Sequence, residues 1–127
     1  MPDLSVIETA LGQALAAVSG IGEIAWPNRS ADPVRPFVLF DHVPTQWENA
    51  TVDGSEVRAD GYVIASICIA QGGFTTDANA RAGDIIAAFP PGLRLGGACI
   101  IQASPVRGYP DGIGWRQPVR IDYRSEA

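Results

Sequence analysis

The chain contains no lysine: all nine basic residues among its 127 are arginine. That excludes mechanisms built on a lysine amine, including the phosphate-binding loop and the Schiff base. There is one histidine, His42, so a Ser-His-Asp triad has a single candidate base. Its neighbour Asp41 points to the opposite face of a strand and cannot orient it, and no Gly-x-Ser-x-Gly elbow is present. His42 therefore reads as a strand-end or interface residue. Cys68 and Cys99 are the two cysteines. With one histidine they form no Cys-x-x-Cys or His-x-x-x-His ligand pair. They lie in apolar runs, Ile67-Cys68-Ile69 and Ala98-Cys99-Ile100, and read as reduced core thiols, a disulfide requiring that the two strands pair. Charged residues are scarce at 18% while hydrophobic ones are ordinary at 46%, which argues against disorder. The net charge of −5 argues against a general nucleic-acid binder. No apolar run is long enough for a transmembrane helix. The segment 1–8 lacks a basic region, and Asp3 and Glu8 interrupt it, so it does not read as a signal peptide. A cytosolic product is expected.

The carboxylates Asp53, Glu56 and Asp60 gather in one stretch without calcium-loop spacing, and Gly92, Gly96 and Gly97 do not make a dinucleotide fingerprint. No metal or cofactor is expected. Any two of the fourteen Asp and Glu residues are free to meet in space, so a small carboxylate-dependent enzyme or ligand-binding domain stays open at this point.

The length fits one domain, 1–127. Fourteen glycines and ten prolines suit short strands and turns better than a bundle. Residues 3–19 read as a helix, with Leu4, Ile7, Leu11, Leu15 and Val18 on one face and a capping box from Ser5 and Glu8, or a cap one turn earlier from Asp3. A short strand over 21–26 is optional, and 27–36 is a proline-rich loop. A strand covers 37–43. A long polar loop runs over 44–57, with a short hairpin as its alternative. The strand 58–71 is apolar on both sides, with Val63, Ala65, Ile67 and Ile69 facing one way and Tyr62, Ile64, Ser66 and Cys68 the other. Thr75 or Thr76 caps a second helix reaching Phe89. Strands follow at 98–106 and 115–124. In the last of them Arg116, Arg120 and Arg124 share a face, and Pro118 suggests an edge or a bulge. The expected order is α-β-β-β-α-β-β. This is an α+β fold with a mixed, mostly antiparallel sheet of four to five strands and two helices on one face. Two helices leave the second sheet face bare, and a copy of the same chain is the expected cover.

Four segments carry a family resemblance. They are the opening helix with Ile24-Ala25-Trp26-Pro27-Asn28, the strand entry Asp60-Gly61-Tyr62, the helix exit Ala88-Phe89-Pro90-Pro91-Gly92-Leu93-Arg94-Leu95, and the close from Gly112 through Trp115 to Tyr123. Together they resemble the tail-terminator-like family of long-tailed bacteriophages and phage-derived particles. The resemblance implies structural work and no catalytic residues. It implies a homo-hexameric ring at the head-proximal end of the tail tube that stops polymerisation and joins tail to head. The implied partners are the major tail tube protein and the head–tail connector protein, with no membrane and no sequence-specific nucleic acid, DNA being free to pass through the ring. The resemblance further implies a protein made in the bacterial cytoplasm that ends at the tail–head junction of a virion or phage-like particle. A connector or other tail-completion protein is the neighbouring alternative. Two sets of residues are expected at contacts. Trp47, Glu48, Asp53 and Glu56 belong to the polar stretch 45–57, whose acids suit the lining of a DNA channel. Arg116, Arg120 and Arg124 suit a subunit or tube contact.

Overall fold

The computed structural model describes residues 4–20, 22–26, 35–49 and 57–125. The elements are α1 (Leu4–Ala16), β1 (Glu23–Ala25), β2 (Phe37–Asn49), β3 (Val57–Ala70), α2 (Thr75–Ala88), β4 (Arg94–Leu95), β5 (Ala98–Pro105), β6 (Tyr109–Pro110) and β7 (Gly114–Ser125). The class is α+β as expected. The strand count and order are not: among the described residues seven strands replace four to five, and the order is α-β-β-β-α-β-β-β-β. The two strands missing from the sequence reading, β4 and β6, have two residues each. A strand that short shows no alternation to detect. Gly96 and Gly97, at φ +59 and +84, form the two-residue turn between β4 and β5, where both turn positions require positive φ.

The sheet runs β1-β2-β3-β7-β5-β4, with β6 also on β7. Only β1 and β2 are parallel; the other pairings are antiparallel. Val38 and Phe40 of β2, Val63, Ala65, Ile67 and Ile69 of β3, and Val119, Ile121 and Tyr123 of β7 meet Ile7, Leu11 and Leu15 of α1 and Ala78, Ala82 and Ile85 of α2 in one core. The alternation read for β3 holds, with Val63, Ala65, Ile67 and Ile69 on its core face, and in β7 the arginines lie on the face opposite Val119, Ile121 and Tyr123. At the start of α2, the residue outside the first turn is Phe74, and no side chain caps the helix. The expected Thr75 or Thr76 cap is thus displaced by one residue, and the threonines lie inside the helix.

Residues 44–57 are not a loop throughout; the antiparallel pairing of the hairpin alternative is found. After a register shift between Pro44 and Gln46, β2 continues to Asn49, with Trp47 opposite Ala59 and Glu48 opposite Arg58. β7 pairs with β3 only from Asp60 onward, so 47–49 and 57–59 form a two-stranded arm beyond it. Asp53 and Glu56 lie outside the described residues.

Pro118 lies on neither an edge nor a bulge. It sits in β7, the strand between β3 and β5, paired with Ser66. The Pro118 carbonyl accepts from Val106 N–H at 3.0 Å, where β5 has ended and β6 has not begun. The return bond, from residue 118 to the Val106 carbonyl, is impossible for proline. Gln117 replaces it: its buried Nε2 donates to the Val106 carbonyl at 2.6 Å and to the Pro118 carbonyl at 3.2 Å. Gln117→Leu should therefore cost about 1–3 kcal/mol through the orphaned carbonyl, read from chemical denaturation. An unchanged midpoint would remove this account of Pro118.

Candidate functional site

His42 is not at a strand end, because β2 runs on to Asn49. It faces the core side, and its side chain is only 4% exposed. Tyr123 O–H lies 2.5 Å from His42 Nε2, and His42 Nδ1 lies 3.2 Å from Glu8 Oε1 on α1. With Glu8 ionised, a consistent proton arrangement has Tyr123 donating to Nε2 and Nδ1–H donating to Glu8. Tyr123 is fully enclosed and His42 nearly so, while Glu8 is 46% exposed; the trio ties α1 to β2 and β7. Burial, reinforced by the charges of Asp60 and Glu8, pushes the Tyr123 phenol up to about 12. A raised folded-state value means that this contribution is intact below the ordinary tyrosine pKa of about 10 and is lost as pH rises through 12. Ultraviolet titration of the wild type minus Tyr123→Phe should place the missing phenolate step near pH 12. A step near 10 with the fold intact would contradict the enclosure.

A groove of about 390 Å³ lies beside this network, between α1 and the aromatic pair Trp26 and Phe40, whose rings are 5.4 Å apart. Among the described residues Glu8 is its one ionisable lining residue, and that carboxylate is engaged with His42. Among the described residues no three His, Cys, Asp or Glu side chains are gathered closely enough for a metal ion. Cys68 and Cys99 are free; they pair across from Arg116 and Arg124 on opposite sides of β7, so a central strand separates them.

The second sheet face is the larger feature. At one end the chain covers it unaided. Arg35 donates from Nη1 to the Ile69 carbonyl at 3.1 Å and from Nη2 to Asp111 at 2.6 Å, with its guanidinium 5.6 Å above the Phe37 ring. Arg116 reaches the same carboxylate at 3.5 Å. Beneath them Phe37, Ser66, Cys68 and Pro118 are buried, and burial pushes the Cys68 thiol up. The Arg35 hydrogen bond holds the Asp111 carboxyl below its usual range. That contribution is present above the ordinary carboxylate pKa of about 3.9 and is lost as pH falls through the depressed value. At this end the chain's own turns cover the face, in place of the second copy expected there.

Among the described residues nothing covers the other end. Leu39, Val43, Tyr62 and Ile64 are half-buried, and Asp41, Arg120 and Arg124 are exposed. The three arginines do share this face, and each has a partner in its own chain: Arg116 with Asp111, Arg120 with Asp122 at 2.9 Å and 4.0 Å above the Tyr62 ring, Arg124 with Asp60 at 3.7 Å. The arm carrying Trp47 and Glu48 extends from this end of the sheet. At the opposite end, where Ala70 pairs with Gly114, Phe74 and Ile113 are 76% and 69% exposed, the barest large apolar side chains described. The sequence reading missed Arg35, Asp111 and this apolar rim, because all three lie in turns whose neighbours are set by strand order.

Comparison with known proteins gives three findings. A family model described as "Phage tail terminator protein" matches residues 6–123. No curated protein sequence matches. Among solved structures, one chain superposes with a TM-score of 0.73 at 17% identity, covering 98% of this chain and 93% of its own. A chain from the virion of a native gene transfer agent particle superposes with a TM-score of 0.66 at 16% identity, covering 98% and 97%. These likenesses concern the fold.

Proposed function

The chain belongs to the phage tail terminator family, and from that premise we propose that it completes the tail. Six copies form a ring at the head-proximal end of the tube, stop its polymerisation and provide the surface to which the head connector joins. The family is one of structural tail proteins, and its match from α1 to β7 carries the reading. The open sheet end supports it, since half-buried Leu39, Val43, Tyr62 and Ile64 suit a neighbouring subunit better than water. A ring of identical subunits needs contacts between two different patches, closed by rotation.

The deciding experiment removes the gene from a particle-producing strain and restores a gold-labelled copy. Tubes of uncontrolled length without heads, corrected by a copy labelled at the head–tail junction, are the expected result. Tubes of normal length that fail to join heads would make it a connector instead. Normal particles would remove the structural role.

Two contact assignments belong to the same reading. The arm and the residues after it, with Trp47, Glu48, Asp53 and Glu56, reach into or around the channel, where carboxylates keep passing DNA from adhering. Converting the three acids to arginine should lower DNA transfer at least about tenfold at normal expression, since the added cations would hold phosphate; unchanged transfer would reject this placement. Arg116, Arg120 and Arg124 lie at a subunit or tube contact. Unimpaired assembly after replacing all three by alanine would remove them from it.

A further inference from the structure

We propose that consecutive copies join edge to edge, the free edge of β2 in one subunit pairing with the free edge of β5 in the next. The inference rests on the ring reading above and adds the means of closure.

Both edges are open over similar lengths. β1 pairs only with Phe37–Leu39 of β2, and among the described residues no strand pairs with the same edge beyond Leu39. Phe40–Val43 is thus available before Pro44 and the register shift. On β5, β4 pairs with Ala98 and Cys99, and Ile100 exchanges backbone hydrogen bonds with Leu93 and Gly92. Among the described residues the outer edge then runs unpaired from Ile101, where the register against β7 shifts, through Ser104 to Pro105. Four residues face four. Free edges are limited by charges, prolines and bulges; here Pro44 and Pro105 end the two free stretches, and no lysine guards them. Ile101 stands 48% exposed on the β5 edge.

Strand direction selects the occupant. Three antiparallel pairings separate β2 from β5, so the two edge strands run in opposite directions. A copy rotated about an axis lying along the strands keeps its strand directions. It therefore presents β5 antiparallel to β2, with its helices on the same side of the ring. The two edges lie on opposite sides of the sheet, so each copy offers one edge forward and one back, as a closed head-to-tail ring requires. Beside Asp41 of one copy the contact would bring Gln102 and Ser104 of the next, all three on the open face by register, with no like charge to oppose it.

The test uses the full chain with Cys99→Ser, carrying Asp41→Cys together with Gln102→Cys or, separately, Ser104→Cys. Asp41 and Gln102 are exposed, so these exchanges leave the core untouched. Mild oxidation should join copies into a covalent ladder in one of the two pairs and in neither single variant. In the unmodified chain, amide exchange over 40–43 and 101–104 should slow at least about tenfold on assembly. Native mass, with and without tail tubes, reports ring formation independently. A closed ring that neither cross-links nor protects these amides overturns the edge pairing and leaves the ring reading standing. No oligomer under either condition overturns both.

Discussion

Replacing Tyr123 by alanine should lower the unfolding free energy by about 4 kcal/mol and the melting temperature by about 15 °C. Tyr123 heads the fully buried side chains by volume, and its ring lies in the core shared by both helices and three strands. Truncating a buried aromatic removes its transfer free energy and leaves a cavity that a β-sheet framework closes poorly. The hydroxyl adds a second loss, because His42 Nε2 is then enclosed without its partner at 2.5 Å. Tyr123→Phe separates the two effects: it keeps the ring, removes the hydrogen bond, and should cost about 1–3 kcal/mol. A loss under about 1 kcal/mol for the alanine variant would mean that β7 does not seat this ring in the core. Total stability of a domain this size is about 5–15 kcal/mol, so the alanine variant should also lose assembly at growth temperature.

Gly61→Ala should cost about 3 kcal/mol, an unusually large effect for one added methyl. Gly61 sits in β3 between Pro44 of β2 and Tyr123 of β7. A Cβ there would lie 2.6 Å from the Tyr123 hydroxyl and 2.8 Å from the Val43 carbonyl oxygen. The first contact belongs to a side chain tethered to His42. The second belongs to backbone in the strand next door, which moves only if the sheet opens. The double variant Gly61→Ala/Tyr123→Phe distinguishes them. Removing the hydroxyl should recover part of the loss but not all, giving a coupling energy of about 1 kcal/mol. Full additivity in denaturant titrations would show that the methyl is accommodated without touching Tyr123.

These two residues show why the sequence stops short of the interior network. Tyr123 and His42 lie 81 positions apart, and Glu8 and His42 34 apart. Alternation placed Tyr123 on one face of its strand, but nothing local specifies which residue of a distant strand stands opposite. The arm shows the same limit from the other side. Polarity and Pro44 suggest a loop over 44–57, yet pairing with β3 holds Gln46–Asn49 in a strand. Cross-strand hydrogen bonds override weak intrinsic preference there. Arg116, Arg120 and Arg124 were legible as a row because spacing alone fixes it, whereas their partners Asp111, Asp122 and Asp60 come from a turn, their own strand and a neighbouring strand.

The sequence by itself determined the α+β class, both helices, the two-faced alternation of β3 and β7, and the resemblance that names the family. Each of these depends on periodicity or on short runs of residues, which are local properties. Tertiary structure alone decided that β7 lies inside the sheet despite Pro118, and that Gln117 supplies the donor proline lacks. It also decided that Arg35 and Asp111 cover one end of the second face and leave the other open. Those outcomes depend on strand order and register, which are fixed by distant backbone groups satisfying one another as the sheet closes around one core.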